Sequence, residues 1–279
     1  MTEPAKSAPL LAVAATFTVE PIEESLSFWL RETGLELGLR FAPYNQVFQQ
    51  LLDPASLLAT NRNGVNAILI RLEDWARHGD ASDIDLAELG DNVRRFITAL
   101  SAATERFASP FVIIPCPASP AFCADRARAA FLEQMHALLE AAVRDQGAAH
   151  FIAPCELNDL YPVTEIHDPH GDELGHVPYT PAFFTALGTM LVRKVHSLRR
   201  APYKVVVLDC DETLWSGVCG EDGPEGVTID DNRRALQAFL LRQHQSGVLL
   251  CLCSKNEEED VLETFRAHPS MPLRLEHFV

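Results

Sequence analysis

Lys204-Val-Val-Val-Leu-Asp-Cys-Asp-Glu-Thr-Leu-Trp215 decides the reading of this chain. An apolar run breaks off at two carboxylates one residue apart, Asp209 and Asp211, with Thr213 just beyond. A short apolar run bounded by polar residues reads as a buried strand of a parallel sheet. Alternation puts Asp209 and Asp211 on one side of it and sends Cys210 into the sheet. Acids at the carboxyl end of such a strand stand where open α/β sheets place their ligands. Such a pair can hold Mg²⁺ while one oxygen attacks a phosphoryl group and the other carboxyl moves a proton.

Around this stretch a second α/β unit takes shape. Its first strand covers residues 203–208, followed by a Gly-rich loop or small hairpin over 215–230. A helix over 232–245 stops at Gly247, a strand covers 248–253, a helix covers 257–267, and a third strand is expected over 273–279. Upstream, buried strands are predicted at 10–15, 37–41, 65–72, 111–115 and 150–153. Helix-spaced apolar residues fall between them at 22–31, 44–52, 86–103 and 120–144. This alternation predicts a parallel sheet with helices on both faces. A helix over 181–200, with Thr180 as N-cap and Pro181 at its first position, closes the unit. Arg199-Arg200-Ala201-Pro202 reads as a basic linker, so the fold class is α/β with two Rossmann-like parallel-sheet domains, 1–200 and 201–279.

The 279 residues are 47% hydrophobic and 22% charged, enough apolar material for two cores. A formal net charge of −16 argues against a general nucleic-acid binder. Seven cysteines in no framework spacing point to reduced thiols and a cytoplasmic setting, with Cys251 and Cys253 as small buried hydrophobes. The apolar run Leu10–Ala15 is short, and Glu3 and Lys6 precede it, a poor secretory signal. No stretch is long enough to span a membrane.

Asp209-Cys-Asp-Glu-Thr213 after an apolar strand resembles motif I of the haloacid dehalogenase-like phosphotransferases. The resemblance implies Asp209 as nucleophile, Asp211 as general acid/base, and Mg²⁺ on the Asp209 carboxylate and the Asp211 carbonyl. It implies Thr213 steadying the turn, and Ser254 as the second motif that binds the phosphoryl group, with Lys255 and Asn256 beside it. Ser254-Lys-Asn-Glu257 also has the pattern of a capping box, so Ser254 is equally expected to start a helix.

Thr213-Leu-Trp-Ser-Gly-Val-Cys-Gly-Glu-Asp-Gly-Pro-Glu-Gly226 and Asp168-Pro-His-Gly-Asp-Glu-Leu-Gly-His-Val-Pro-Tyr179 resemble the FkbH-like branch, subfamily IIIC of that superfamily. This implies dephosphorylation of 1,3-bisphosphoglycerate, a phosphorylated three-carbon metabolite, and loading of the glyceryl unit onto an acyl carrier protein in polyketide or nonribosomal-peptide pathways. Cys219 is then the candidate acyl relay, its alternative being a packed or idle loop cysteine. Arg193, Lys194, Arg199 and Arg200 form the densest basic cluster for an acidic carrier, with a solvated helix face as the plainer reading. The family's later Lys and acidic pair are expected beyond Val279, so the second domain reads as truncated and the chain as given is expected to have little phosphotransfer activity.

The first domain resembles an SGNH-hydrolase-like, flavodoxin-related fold, with Thr18 where a Ser would stand and His176 as the possible base, near Asp168 or Asp172. Thr18 has a second reading as a helix cap, and His176 as a loop-bonding residue. Arg71 is read as paired with Glu73 or Asp74, or as a phosphate contact, and the domain as a scaffold that binds substrate or carrier. A generic small-metabolite phosphatase and a non-catalytic docking fragment are the alternatives for the whole chain.

Overall fold

The computed structural model describes residues 8–76, 84–201 and 203–279, so Glu3, Lys6 and Pro202 lie outside the described residues. The chain divides into two compact units, Met1–Arg200 and Ala201–Val279.

In the first unit the apolar runs form β1 (Leu10–Ala15), β2 (Gly38–Phe41), β3 (Val65–Ile70), β4 (Phe111–Pro115) and β5 (Ala149–Phe151). All pairings are parallel, in the order β2-β1-β3-β4-β5. Nine helices belong to the described part of this unit: α1 (Glu23–Glu32), α2 (Val47–Leu52), α3 (Leu57–Thr60), α4 (Leu86–Arg106), α5 (Pro120–Cys123), α6 (Arg126–Arg144), α7 (Pro154–Leu160), α8 (Pro169–Gly175) and α9 (Pro181–Arg199).

The period of two along each strand divides the interior into two cores. Leu11, Val13, Ala15, Val65, Leu69, Val112 and Ile114 face α1 and α9. Ala12, Ala14, Ile68, Ile70, Phe111 and Ile113 face α2, α4 and α6. Helix α4 meets its core with Leu89, Val93, Phe96, Leu100 and Ala103, a spacing of three and four. Each large apolar side chain fully buried in this way contributes about 1.5–3 kcal/mol. Both faces of the sheet are therefore covered, as parallel sheets require.

Capping sets the helix starts. Thr180 accepts from the Phe183 amide with Pro181 in the first turn, as the sequence indicates. The helix predicted over 120–144 is broken in two, because Asp125 leaves helical geometry and accepts from the Arg128 amide as the N-cap of α6. Helix α9 runs through Arg199, into what reads as linker.

The second unit contains β6 (Val205–Leu208) and β7 (Leu249–Leu252), paired in parallel, with α10 (Cys219–Asp222), α11 (Asp231–Gln245) and α12 (Glu258–Ala267). Leu208, Leu250, Leu240, Val261 and Phe265 build one core. On the other side of these strands Val205, Val207 and Leu249 are exposed.

Three expectations are corrected here. Residues 273–279 form no third strand: Arg274 and His277 cap a 3-10 turn at Leu275–His277, and only Phe278 bridges to Leu250 of β7. Cys253 is exposed and Cys251 half-buried, because they follow the uncovered side of β7. Ser254 does not cap α12, whose N-cap position is Glu257 without a side-chain bond.

Candidate functional site

Beyond Leu208 the chain leaves β6 and turns sharply. Asp209 is exposed, Cys210 is fully buried in the core, and Asp211 is half-buried, so the alternation of the strand carries into the turn. Glu212 follows in the left-handed region at φ 53°. That conformation is costly for a residue with a Cβ. Its carboxylate is held on both oxygens: Gly217 N donates to Oε1 at 2.8 Å, and Arg233 Nη2 of α11 donates to Oε2 at 2.6 Å.

Asp211 is the most heavily bonded acid of the turn. Trp215 Nε1 and the Cys219 amide donate to Oδ1 at 2.9 and 3.1 Å, and Asn256 Nδ2 donates to Oδ2 at 2.7 Å. Burial works to raise the Asp211 pKa, but the bonds from Asn256, the Cys219 amide and Trp215 outweigh it and hold the group below its usual value.

Asn256 is the node that joins the two strand ends. Its Nδ2 lies 3.1 Å from Cys219 Sγ and 3.2 Å from Ser254 Oγ as well, so two hydrogens serve three acceptors. Asp211, Cys219, Ser254 and Asn256, chosen from widely spaced positions, are thus brought together. Thr213 sits within the turn, its amide bonded to the Cys210 carbonyl, and Lys255 is exposed.

The thiols are not primed as thiolates. Cys219 is buried, and burial followed by the Asp211 charge raises its pKa. Cys210 is pushed up to about 11, chiefly by burial. An acyl relay through Cys219 would have to open this packing first.

The donors that the resemblance implies for Mg²⁺ are the Asp209 carboxylate, whose Oδ1 accepts from the Cys210 amide at 2.8 Å, and the Asp211 carbonyl. The Asp211 carboxylate already accepts three bonds from protein donors. No cluster of three or more His, Cys, Asp or Glu suited to a metal occurs among the described residues. With one carboxylate and one carbonyl from the protein, a Mg²⁺ held there would take most of its ligands from water, as this ion commonly does.

In the first unit, Thr18 Oγ1 donates to the Gly175 carbonyl at 2.7 Å and its amide donates to the His176 carbonyl at 2.8 Å. Thr18 therefore ties the end of β1 to the end of α8 and does not cap the following helix; a 3-10 turn at Glu20–Ile22 intervenes. His176 is left-handed, φ 55°, and its ring stacks on Tyr44 at 5.0 Å. Arg71 is 1% exposed and forms bonds to Asp74 and Asp172, with Glu73 at 3.4 Å. Of the basic cluster, Arg193 contacts the Tyr161 hydroxyl and Arg199 the Asn63 carbonyl.

The roles of Glu212, Trp215 and Arg233 escape sequence reading. The left-handed turn and the partnership with Arg233, 21 positions away, leave no local signature.

No protein-family model matches the chain, and no curated protein matches it. Among solved structures it is similar to the N-terminal part of the protein BF1531 from Bacteroides fragilis, described as containing a phosphatase domain complexed with Mg. The match has a TM-score of 0.75 at 18% identity and covers 99% of this chain and 77% of that one. The likeness shows the fold. It agrees with the α/β class and its parallel sheets. No helix among the described residues is long and apolar enough to cross a membrane.

Proposed function

We propose that the second unit carries the aspartate site of a Mg²⁺-dependent phosphatase or phosphotransferase. The observation behind this reading is the contrast between the two acids. Asp209 is exposed at the end of β6 and free to approach a phosphoryl group, while Asp211 is fixed by three donors. Asn256, from beyond the end of β7, bonds Asp211 and Ser254, and the two side chains would steady the transferred group.

In this reading Asp209 attacks phosphorus to form an aspartyl-phosphate, which water then hydrolyses. Bound Mg²⁺ would neutralise charge on the phosphoryl oxygens. The donors around Asp211 favour its ionised form, so substrates with good leaving groups, such as acyl phosphates, suit the site best.

The narrower form of the proposal is the FkbH-like one: a phosphorylated three-carbon metabolite as substrate and an acyl carrier protein as acceptor of its glyceryl unit. It draws on the resemblance of the Thr213–Gly226 loop. The burial of Cys219 weighs against that residue as the relay in the conformation described.

The test is phosphate release from acetyl phosphate with and without Mg²⁺, with Asp209→Asn as control. Mg²⁺-dependent release that falls at least about 100-fold in Asp209→Asn supports the reading. Release that is equal in the two proteins overturns it. Formation of a carrier-bound glyceryl thioester from 1,3-bisphosphoglycerate separates the narrower form from a general phosphatase.

A further inference from the structure

Among the described residues, the non-glycine positions with positive φ are Asn45, Asn63, His176 and Glu212. Asn and His are side chains that enter the left-handed region readily. Glu is not, and Glu212 directly follows Asp211, so the departure from backbone preference falls at the candidate site itself. A residue persists in such a conformation when its surroundings over-determine it.

Three contacts hold this one. Gly217 N donates to Glu212 Oε1 at 2.8 Å, while Arg233 Nη2 donates to Oε2 at 2.6 Å and reaches the Glu212 main-chain carbonyl at 3.4 Å. Arg233 is itself anchored. Its Nη1 bonds Asp230, whose carboxylate also accepts the Arg233 amide as the N-cap of α11. The Arg233 side chain is 19% exposed and that of Glu212 63%, so the guanidinium is the fixed jaw of this clamp. The turn after β6 is thereby tied to the first turn of α11, 21 positions away.

The turn sets more than the place of Glu212. The peptide unit between Asp211 and Glu212 is planar, so rotation about φ of Glu212 swings the Asp211 carbonyl with it. That carbonyl is the main-chain donor implied for Mg²⁺. We propose that Glu212, through its clamp to Arg233, is a positioning residue that holds the Asp211 carbonyl in the direction a Mg²⁺ ion needs. This rests on the Mg²⁺-dependent aspartate site proposed above and adds the pair that prepares it. Without the clamp the left-handed turn becomes one state among several, and the apparent Kd for the ion rises by the inverse of its population. Through-space charge acts in the opposite sense at Arg233, since removing a cation near the site favours a dication.

The experiment is calorimetric titration of the full chain with MgCl₂, unaltered and as Arg233→Gln, with Glu212→Ala as a second variant. Both variants should bind Mg²⁺ at least about fivefold more weakly, the smallest factor that an unsupported left-handed non-glycine residue commonly costs. Without metal, the NMR cross-peak between the amide and Hα protons of residue 212, strong at positive φ, should fade in both. Mg²⁺ binding that is unchanged or tighter in Arg233→Gln, or a cross-peak that keeps its strength, overturns the positioning role and leaves the Mg²⁺ site standing. Absence of Mg²⁺ binding by the unaltered chain overturns that site, and the positioning role with it. Should Arg233→Gln fail to fold, the cross-peak of residue 212 in Glu212→Ala decides.

Discussion

A carboxylate surrounded by donors is hard to protonate, and Asp211 has an indole, a main-chain amide and a carboxamide aimed at it. Its pKa lies below the ordinary 3.8, so its contribution to stability is present above about pH 4 and is lost as pH falls through the folded value. Carboxyl-carbon NMR titration should show this, and Asn256→Leu should raise the Asp211 midpoint. The same substitution should cost the second unit about 1–3 kcal/mol in urea unfolding, because it strips a bond from a charged group. Arg233→Gln is a milder change. Glu212 is largely exposed, so stability should drop by no more than about 1 kcal/mol, while hydrogen exchange at the Gly217 amide should quicken. Asp209 and Asp211 are conspicuous in the sequence as acids closing an apolar run. What surrounds them is not, because Asn256 lies 45 positions from Asp211 and meets it only once β7 is paired with β6.

Helix α6 packs Leu132, Met135, Leu139 and Val143 into its core and carries His136 beside them, with Nε2 buried and without a partner. Burial lowers the His136 pKa, as it does those of His150 and His167. The stability contributed by keeping these rings neutral is present above their ordinary value of about 6.5 and is lost as pH falls below it. Chemical denaturation should therefore show the first unit weaker at pH 5 than at pH 7.5. His136→Phe should reduce that difference and raise stability at either pH by about 1 kcal/mol. In the loop between β6 and α11, a Cβ on Gly226 would come within 2.1 Å of the Asp222 carbonyl. Gly226→Ala should then cost about 1–3 kcal/mol, read as a lower urea midpoint for the second unit. Strands and helices with long, regular apolar patterns, such as β1, β4 and α4, were legible in the sequence alone. The break at Asp125 and the 3-10 turn at Leu275–His277 were not, because local side-chain bonds to the main chain overrode the apolar pattern.

At the scale of the whole chain, the described residues give each unit hydrophobic clusters of its own. Each unit thus has the interior that cooperative folding requires. Arg199 and Arg200 are exposed at the end of α9. Brief trypsin treatment should cut there and leave a first-unit fragment that still unfolds in one transition; its immediate degradation would show that the first unit depends on the second. The three tryptophans follow the same division: Trp29 and Trp75 belong to the first unit and Trp215 to the second. Trp215 is 0% exposed and its indole N–H points at Asp211. In a Trp29→Phe, Trp75→Phe background the protein would therefore have its own optical reporter. The wavelength and yield of Trp215 emission would register ion or phosphate arrival at the acids without an added dye.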